Sequence, residues 1–383
     1  MIEKHKIFTS FFIFGLLNNI LYVIILSAAI DLVGSSTPKA IVLLADILPS
    51  FTIKLVSPFF IHFIPYNFRL WTLVGLSSFG MLLISSTYSF KIFGIILASL
   101  SAGLGEVSFL QLTHYYKEKN SIAGFSSGTG GAGLAGSFLF MLLTNLLKIR
   151  ISLVLLSFSV IPFGFIFVYY GLLPPKIIEY EAIEEEETID ISSFSFNSTI
   201  EKIKPLVIPY MISLTTVYIS EYVINQGISP TLLFPIEELP NWLFQTYRDI
   251  YVVYGFLYQL GVFISRSSTI FGFRFKRLYV LSWLQFVNVI ICLIQSMYNF
   301  PFKTIWLLMI VIFYEGLLGG LSYVNTFLSV SEDIPKSRRE FSMGSVSLSD
   351  SLGIVLAGLI NWWLEPKLCN HQVNIGRDWC KTG

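Results

Sequence analysis

The amino-acid sequence predicts an all-α protein that crosses a membrane about eleven times. Three observations predict it. Of its residues, 54% are hydrophobic and 13% charged, where a soluble chain of this size carries about a quarter charged residues. The apolar residues fall into runs of about 20, the length that spans a bilayer as a helix. One long polar stretch, Pro174–Lys204, interrupts these runs, and its acid run Glu184–Glu187 cannot enter a bilayer.

Each span has its own justification. The first, 7–30, follows the short lead MIEKHK and holds Asn18 and Asn19 in its middle. It is too long for a signal-peptide core and reads as an uncleaved span. The second, 40–64, contains Asp46 and Lys54. The third is 68–88, and the fourth, 92–115, contains Glu106 beside Gly103 and Gly105. The fifth, 124–147, opens on GFSSGTGGAGLAGSFLF, and the sixth is 151–173. After the linker come 205–228 with Glu221 and Asn225, 249–266 ending on Arg266, 277–298, 304–330 with Glu315, and 341–364 with Asp350. The expected organisation is therefore a six-helix half (1–173), an acidic linker (174–204), a five-helix half (205–364) and a tail (365–383).

Basic residues orient the layout. Lys4, Lys6, Lys117, Lys119, Arg274, Lys276, Arg277, Arg338 and Arg339 gather on the side of the N-terminus and linker, which the positive-inside rule assigns to the cytosol. An odd number of spans then puts the C-terminus in a lumen. The sequon Asn197-Ser198-Thr199 is cytosolic on this plan and is expected to be unused. The three cysteines, Cys292, Cys369 and Cys380, form no CxxC and no disulfide framework. Cys369 and Cys380 either pair in a luminal compartment or stay reduced. Cys380 stands four from the end, but Lys-Thr-Gly makes a poor prenylation box.

The net charge of +1 gives no footprint for nucleic acid. The chain lacks HExxH and a paired-aspartate motif, so enzyme chemistry is not expected, nor a metal or cofactor. Attention falls instead on ionisable residues inside spans, which are costly and are functional candidates by default. Glu106, Glu221 and Glu315 lie near the middle of the fourth, seventh and tenth spans. A six-plus-five division into pseudo-symmetric halves suggests a major-facilitator-like plan, in which the first, fourth, seventh and tenth helices line a central path. The first span supplies Asn18, Asn19 and Tyr22; Asp46, Lys54, Asp350 and Asn225 complete the candidate set for substrate or protons. Lys54 is expected to snorkel or to pair with Asp46 two turns earlier. Arg266 reads as a cytosolic-edge anchor or a gate partner for an acid. The acid excess favours protons and cationic groups, with Tyr22, Tyr218 and Tyr222 able to face a quaternary ammonium. The expected partners are the lipid bilayer, a small solute and protons, in a secondary transporter working by alternating access. The alternative is a non-transporting scaffold that regulates trafficking or a proton pump.

Inside the fifth span, Gly128, Gly130 and Gly133 match GxGxxG. No strand precedes them, and no acid follows within the next 20 residues or so, as a dinucleotide site would require. Gly124, Gly128, Ala132 and Gly136 recur every four residues and form a small-residue seam for close helix packing. A broken helix whose amides meet a substrate phosphate remains the alternative.

Several segments carry a family resemblance: LADILP from Leu44, SAGLGEVSFLQLT from Ser101, SSGTGGAG from Ser126, VYISEYVINQG from Val217, YRDIYVVYGFLYQLGVFISRSS from Tyr247, YEGLLGGLSYVNTF from Tyr314 and DSLGI from Asp350. In these the chain resembles the battenin family, over nearly its whole length except the linker and residues 230–245. The short chain, lean linker and ending look like a fungal member. The resemblance implies a vacuolar or lysosomal membrane protein with a major-facilitator-like fold. It also implies links to vacuolar pH balance, basic amino-acid movement and clearance of glycerophosphodiesters.

Overall fold

In the computed structural model the residues described are 2–28, 32, 40–86, 88–116, 118–147, 149–175, 196–241, 243–244, 247–377 and 379–381. Among them are eleven helical rods and no strand. They are α1 (Ile2–Ser27), α2 (Ala40–Phe60), α3 (Tyr66–Ile84), α4 (Tyr88–Leu112), α5 (Glu118–Met141), α6 (Ile151–Leu172), α7 (Asn197–Thr231), α8 (Tyr247–Ser267), α9 (Leu278–Tyr298), α10 (Ile305–Asp333) and α11 (Lys336–Asn374).

Several rods are irregular, each for a local reason. α6 passes through a 3-10 turn, Ile161–Phe163, where Pro162 withdraws an amide. α7 follows Pro205 with a π turn at Val207–Met211, and has a second at Ile224–Ile228. In α2, the Ser99 hydroxyl enters the backbone ladder beside Pro49. It accepts from the Ser50 amide at 3.0 Å and donates to the Asp46 carbonyl, which is one of the ways a helix is bent.

Packing repeats with an offset of six along the chain. α1 lies against α5 as α7 lies against α11; α2 against α4 as α8 against α10; α3 against α4 as α9 against α10. Of the crossings that join the first six rods to the last five, α5 with α8 and α2 with α11 correspond as well. α4 and α10 sit centrally: 67% and 56% of their apolar windows are buried, against 33% in α9, which lies on the rim.

Nine of the described helices are long and apolar enough to cross a membrane by length and composition. α5 and α8 are not among the nine. α5 is rich in Gly and Ser, and α8 carries Asp249, Gln259 and Arg266. They pack on each other and on α1 and α10, so neighbouring helices cover much of their polar surface.

Two expected boundaries shift, and one open alternative closes. Residues 196–206, placed in the linker, form the amphipathic start of α7, so the Asn197–Thr199 sequon is helical with Thr199 buried. The acid run Glu184–Glu187 lies outside the described residues. α11 continues past 364 to Asn374, so the first part of the tail is helix. Cys369 and Cys380 are joined as a disulfide, which ties the end of the tail back to α11.

Candidate functional site

The fifth-span stretch resolves first. α5 is α-helical without interruption from Glu118 to Met141. That removes the broken-helix alternative, and no strand stands before it among the described residues. Gly124, Gly128 and Gly136 face α1, and Ala132 is fully buried. A Cβ at Gly128 would collide with the Phe12 carbonyl, so the two backbones touch there. Gly130 and Gly133 face the other way, onto Phe263 and Gln259 of α8. The glycines thus serve two seams, one to α1 and one to the opposite half.

Between the halves, at the centre, lies a buried ion cluster. Lys54 Nζ of α2 donates to Glu106 Oε2 of α4 at 2.5 Å and to Asp350 Oδ1 of α11 at 2.9 Å. The Tyr323 hydroxyl of α10 donates to Glu106 Oε1 at 2.9 Å. Asp350 Oδ1 also accepts from the Ser351 amide at 2.5 Å. Lys54 is 1% exposed, so it does not snorkel. Nor does it pair with Asp46: the ammonium points at Glu106 and Asp350, two charges that together over-compensate its own.

The second half holds a different acidic arrangement. Glu221 of α7 accepts a hydrogen bond from the Tyr258 hydroxyl of α8 on Oε1, and its Oε2 is buried without a partner. Glu315 of α10 accepts from Asn225 Nδ2 at 2.9 Å on Oε1, and its Oε2 is likewise buried and unpartnered. Asn225 Nδ2 also donates to the Glu221 backbone carbonyl at 3.0 Å, so one amide ties both acid positions together. The Glu221 carboxylate lies directly on Gly319, one helical turn past Glu315, where any side chain would overlap it. The π turn at 224–228 accompanies this geometry, as such turns commonly do at functional sites.

In the first half, Asn18, Tyr22, Asp46, Ser77, Ala98 and Ala102 line a small pocket. Asn18 Nδ2 donates to the Ala102 carbonyl at 3.1 Å, while Asp46 Oδ2 is buried without a partner. Asn19 is half-buried and does not line this pocket.

Arg266 does not match its reading as a cytosolic-edge anchor. It stands at the end of α8, but its side chain runs back into the protein. One guanidinium nitrogen donates to Thr129 Oγ1 of α5 at 2.5 Å and the other to the Tyr218 hydroxyl of α7 at 2.8 Å. The guanidinium carbon lies 4.1 Å from the centre of the Tyr323 ring, and Nε is buried without a partner. Among the described ion pairs, none involves Arg266.

Nearer the linker side, Glu340 of α11 accepts from the Tyr66 hydroxyl at 2.7 Å and the Tyr115 hydroxyl at 2.8 Å, which binds the halves there. Sequence reasoning did not single out Thr129, Tyr258, Tyr323 or Glu340. All four act through partners distant in the chain, and each is an ordinary residue in its own segment. A chemically plain set of side chains thus joins acids, hydroxyls and two cations along the axis between the halves.

Comparison with known proteins places the fold. The human organic anion transporter MFSD10 (TETRAN) has the same architecture, with a TM-score of 0.63 at 12% identity, covering 99% of this chain and 96% of that one. The E. coli fucose:proton symporter FucP gives 0.62 at 14%, covering 99% and 94%. FucP is a Major Facilitator Superfamily transporter; at these identities the likeness is one of fold, and the fold is major-facilitator-like. The family described as CLN3 protein matches residues 9–195 and 181–371. Protein BTN1 of Candida albicans is 63% identical across 100% of this chain and 98% of its own, and Protein BTN1 of Saccharomyces cerevisiae 47% across 99% of each. The chain is therefore a multi-pass membrane protein that belongs to the CLN3, or battenin, family.

Proposed function

We propose that the chain is a proton-linked transporter of the vacuolar membrane that moves a basic amino acid or another small polar solute and so contributes to vacuolar pH balance. The observation that carries this reading is the pair Glu221 and Glu315. Each is fully inside the protein, each keeps one carboxylate oxygen without a partner, and Asn225 ties them together. Buried carboxylates left partly unsatisfied are expensive; a proton or a cationic group removes that cost. Asp46, with the same kind of free oxygen beside Tyr22 and Asn18, offers a further station in the first half. No catalysis or cofactor is part of this reading. The solutes named for the fold neighbours, organic anions and fucose, belong to those proteins, and the family resemblance supports the amino acid.

The proposed orientation puts the N-terminus and linker in the cytosol and the C-terminus in the lumen. The Cys369–Cys380 disulfide supports it, because such bonds persist outside reducing compartments. The deciding experiment is solute and proton flux in liposomes that contain only the purified protein. Glu221→Gln and Glu315→Gln are each expected to abolish pH-driven uptake while the protein still folds and reconstitutes. Unchanged pH-dependent uptake in both variants removes the proton assignment. Absence of any flux with the wild type, with partner binding intact, favours the scaffold instead.

A further inference from the structure

The offset-of-six packing makes α2 equivalent to α8 and α5 equivalent to α11. Each of α2 and α8 sends one cation across to the other half, and each lands on the corresponding helix: Lys54 on Asp350 of α11, Arg266 on Thr129 of α5. The two exchanges differ in how they end. Lys54 meets two carboxylates. Arg266 meets only hydroxyls and a ring face, with Nε left over. Buried charges in proteins are normally paired, so this guanidinium lacks what its counterpart has.

Its surroundings are shaped to hold it there. The Arg266 stem passes between Gly130 of α5 and Gly320 of α10. A Cβ at either glycine would approach Arg266 Cδ or Cγ to 3.3 or 3.1 Å. Both glycines leave room for the stem. One turn along α7 from Tyr218, the partner of Arg266, lies Glu221 with its free oxygen. Tyr218 and Tyr222 are stacked at 6.2 Å between centroids beside it. A fixed positive fork and a free carboxylate oxygen are thus served by adjacent turns of one helix, which rises about 5 Å per turn.

We infer that Arg266 is an oxyanion anchor that takes the carboxylate of a zwitterionic amino acid, while Glu221 faces its cationic part. Guanidinium suits the task because its planar donors match a carboxylate bidentately. The inference rests on the transporter reading and narrows its substrate to solutes that carry both charges.

The test is equilibrium binding to the purified full-length protein in lipid nanodiscs, using lysine and cadaverine, which differ by the carboxylate. Wild type is expected to prefer lysine by about 30-fold or more, the scale of one buried charge pair. In Arg266→Gln that ratio should fall to within about 3-fold, with cadaverine affinity little changed. Arg266→Lys, which keeps the charge but loses the fork, should lie between, and thermal unfolding of each variant confirms that it is folded. Glu221→Gln should weaken both ligands. Equal binding of lysine and cadaverine by wild type, no binding of either, or a preference that survives Arg266→Gln overturns the anchor. Flux without carboxylate preference removes the anchor alone. Carboxylate preference without flux removes the transporter and leaves the anchor standing.

Discussion

The cluster of Lys54, Glu106, Asp350 and Tyr323 and the pair Glu221 and Glu315 are both buried and acidic, yet they are built on opposite terms. In the first, three charges from α2, α4 and α11 are held by short contacts, with Tyr323 closing the remaining Glu106 oxygen. In the second, two carboxylates share a neutral amide, and each keeps an open oxygen. The difference separates fastening from working chemistry. A cation placed between acids from both halves resists separation of the halves, because parting them would strand charge away from water. Acids that lie within one half, only partly satisfied, can change protonation or partner without first breaking the molecule apart.

The comparison is broken most directly at Lys54. Lys54→Met leaves Glu106 and Asp350 facing each other without compensation, and is expected to cost roughly 3–5 kcal/mol. Thermal unfolding in detergent reads this as a large drop in midpoint. Adding Glu106→Gln and Asp350→Asn to Lys54→Met should recover much of it. A single variant that melts like wild type would end the fastening role.

A packing lesion distinguishes loss of charge from loss of fit. Gly128→Leu drives a side chain into the Phe12 carbonyl and is expected to cost about 1–3 kcal/mol or more, as overpacking does. No charge change rescues it. Gly131→Ala, whose Cβ would meet Phe263 at an ordinary 3.4 Å, should be within about 0.5 kcal/mol of neutral. Equal tolerance at the two positions would sink the seam. A small effect on stability is also expected of Glu315→Gln, which keeps an oxygen for Asn225. It should change the unfolding midpoint by the equivalent of less than about 1 kcal/mol, even as pH-driven uptake disappears. A collapse in stability like that of Lys54→Met would make the two centres alike.

Much of the fold was legible because each span declares itself locally. Hydrophobic length marked nine of the rods plainly and α5 and α8 only weakly, and the four-residue spacing of Gly124, Gly128, Ala132 and Gly136 pointed to a packing seam without naming its partner. Rod ends were less legible: polar residues 196–206 and 365–374 extend α7 and α11 beyond their apolar cores. Within the candidate site, the buried acids could be found because an ionisable residue in an apolar run is conspicuous. Their partners could not. Asp350 lies 296 residues from Lys54 in the chain, whereas Asp46 was the acid nearby in sequence. Arg266 misled for a related reason. Its place at a helix end suggests an edge, but helical side chains lean toward the N-terminus of their helix, and here that direction leads inward. The second set of glycines, facing α8 through Gly130 and Gly133, has no period of its own to reveal it.

The modest apolarity of α5 and α8 has a consequence for how the chain is made. Segments leave the ribosome in order and are offered to lipid one after another. α5 emerges when α1, its most extensive neighbour, is already in place. α8 emerges before α10, against which it packs most heavily, and has α5 and α7 to shelter its polar side in the meantime. The crossing of α5 with α8 is thus available before α10 is made, and lesions on α10 such as those at Gly316, which abuts the Tyr258 carbonyl, would register as late failures to retain α8 in the bilayer. The glycine-rich stretch of α5 is thus a receiving surface in biogenesis before it is part of any finished protein.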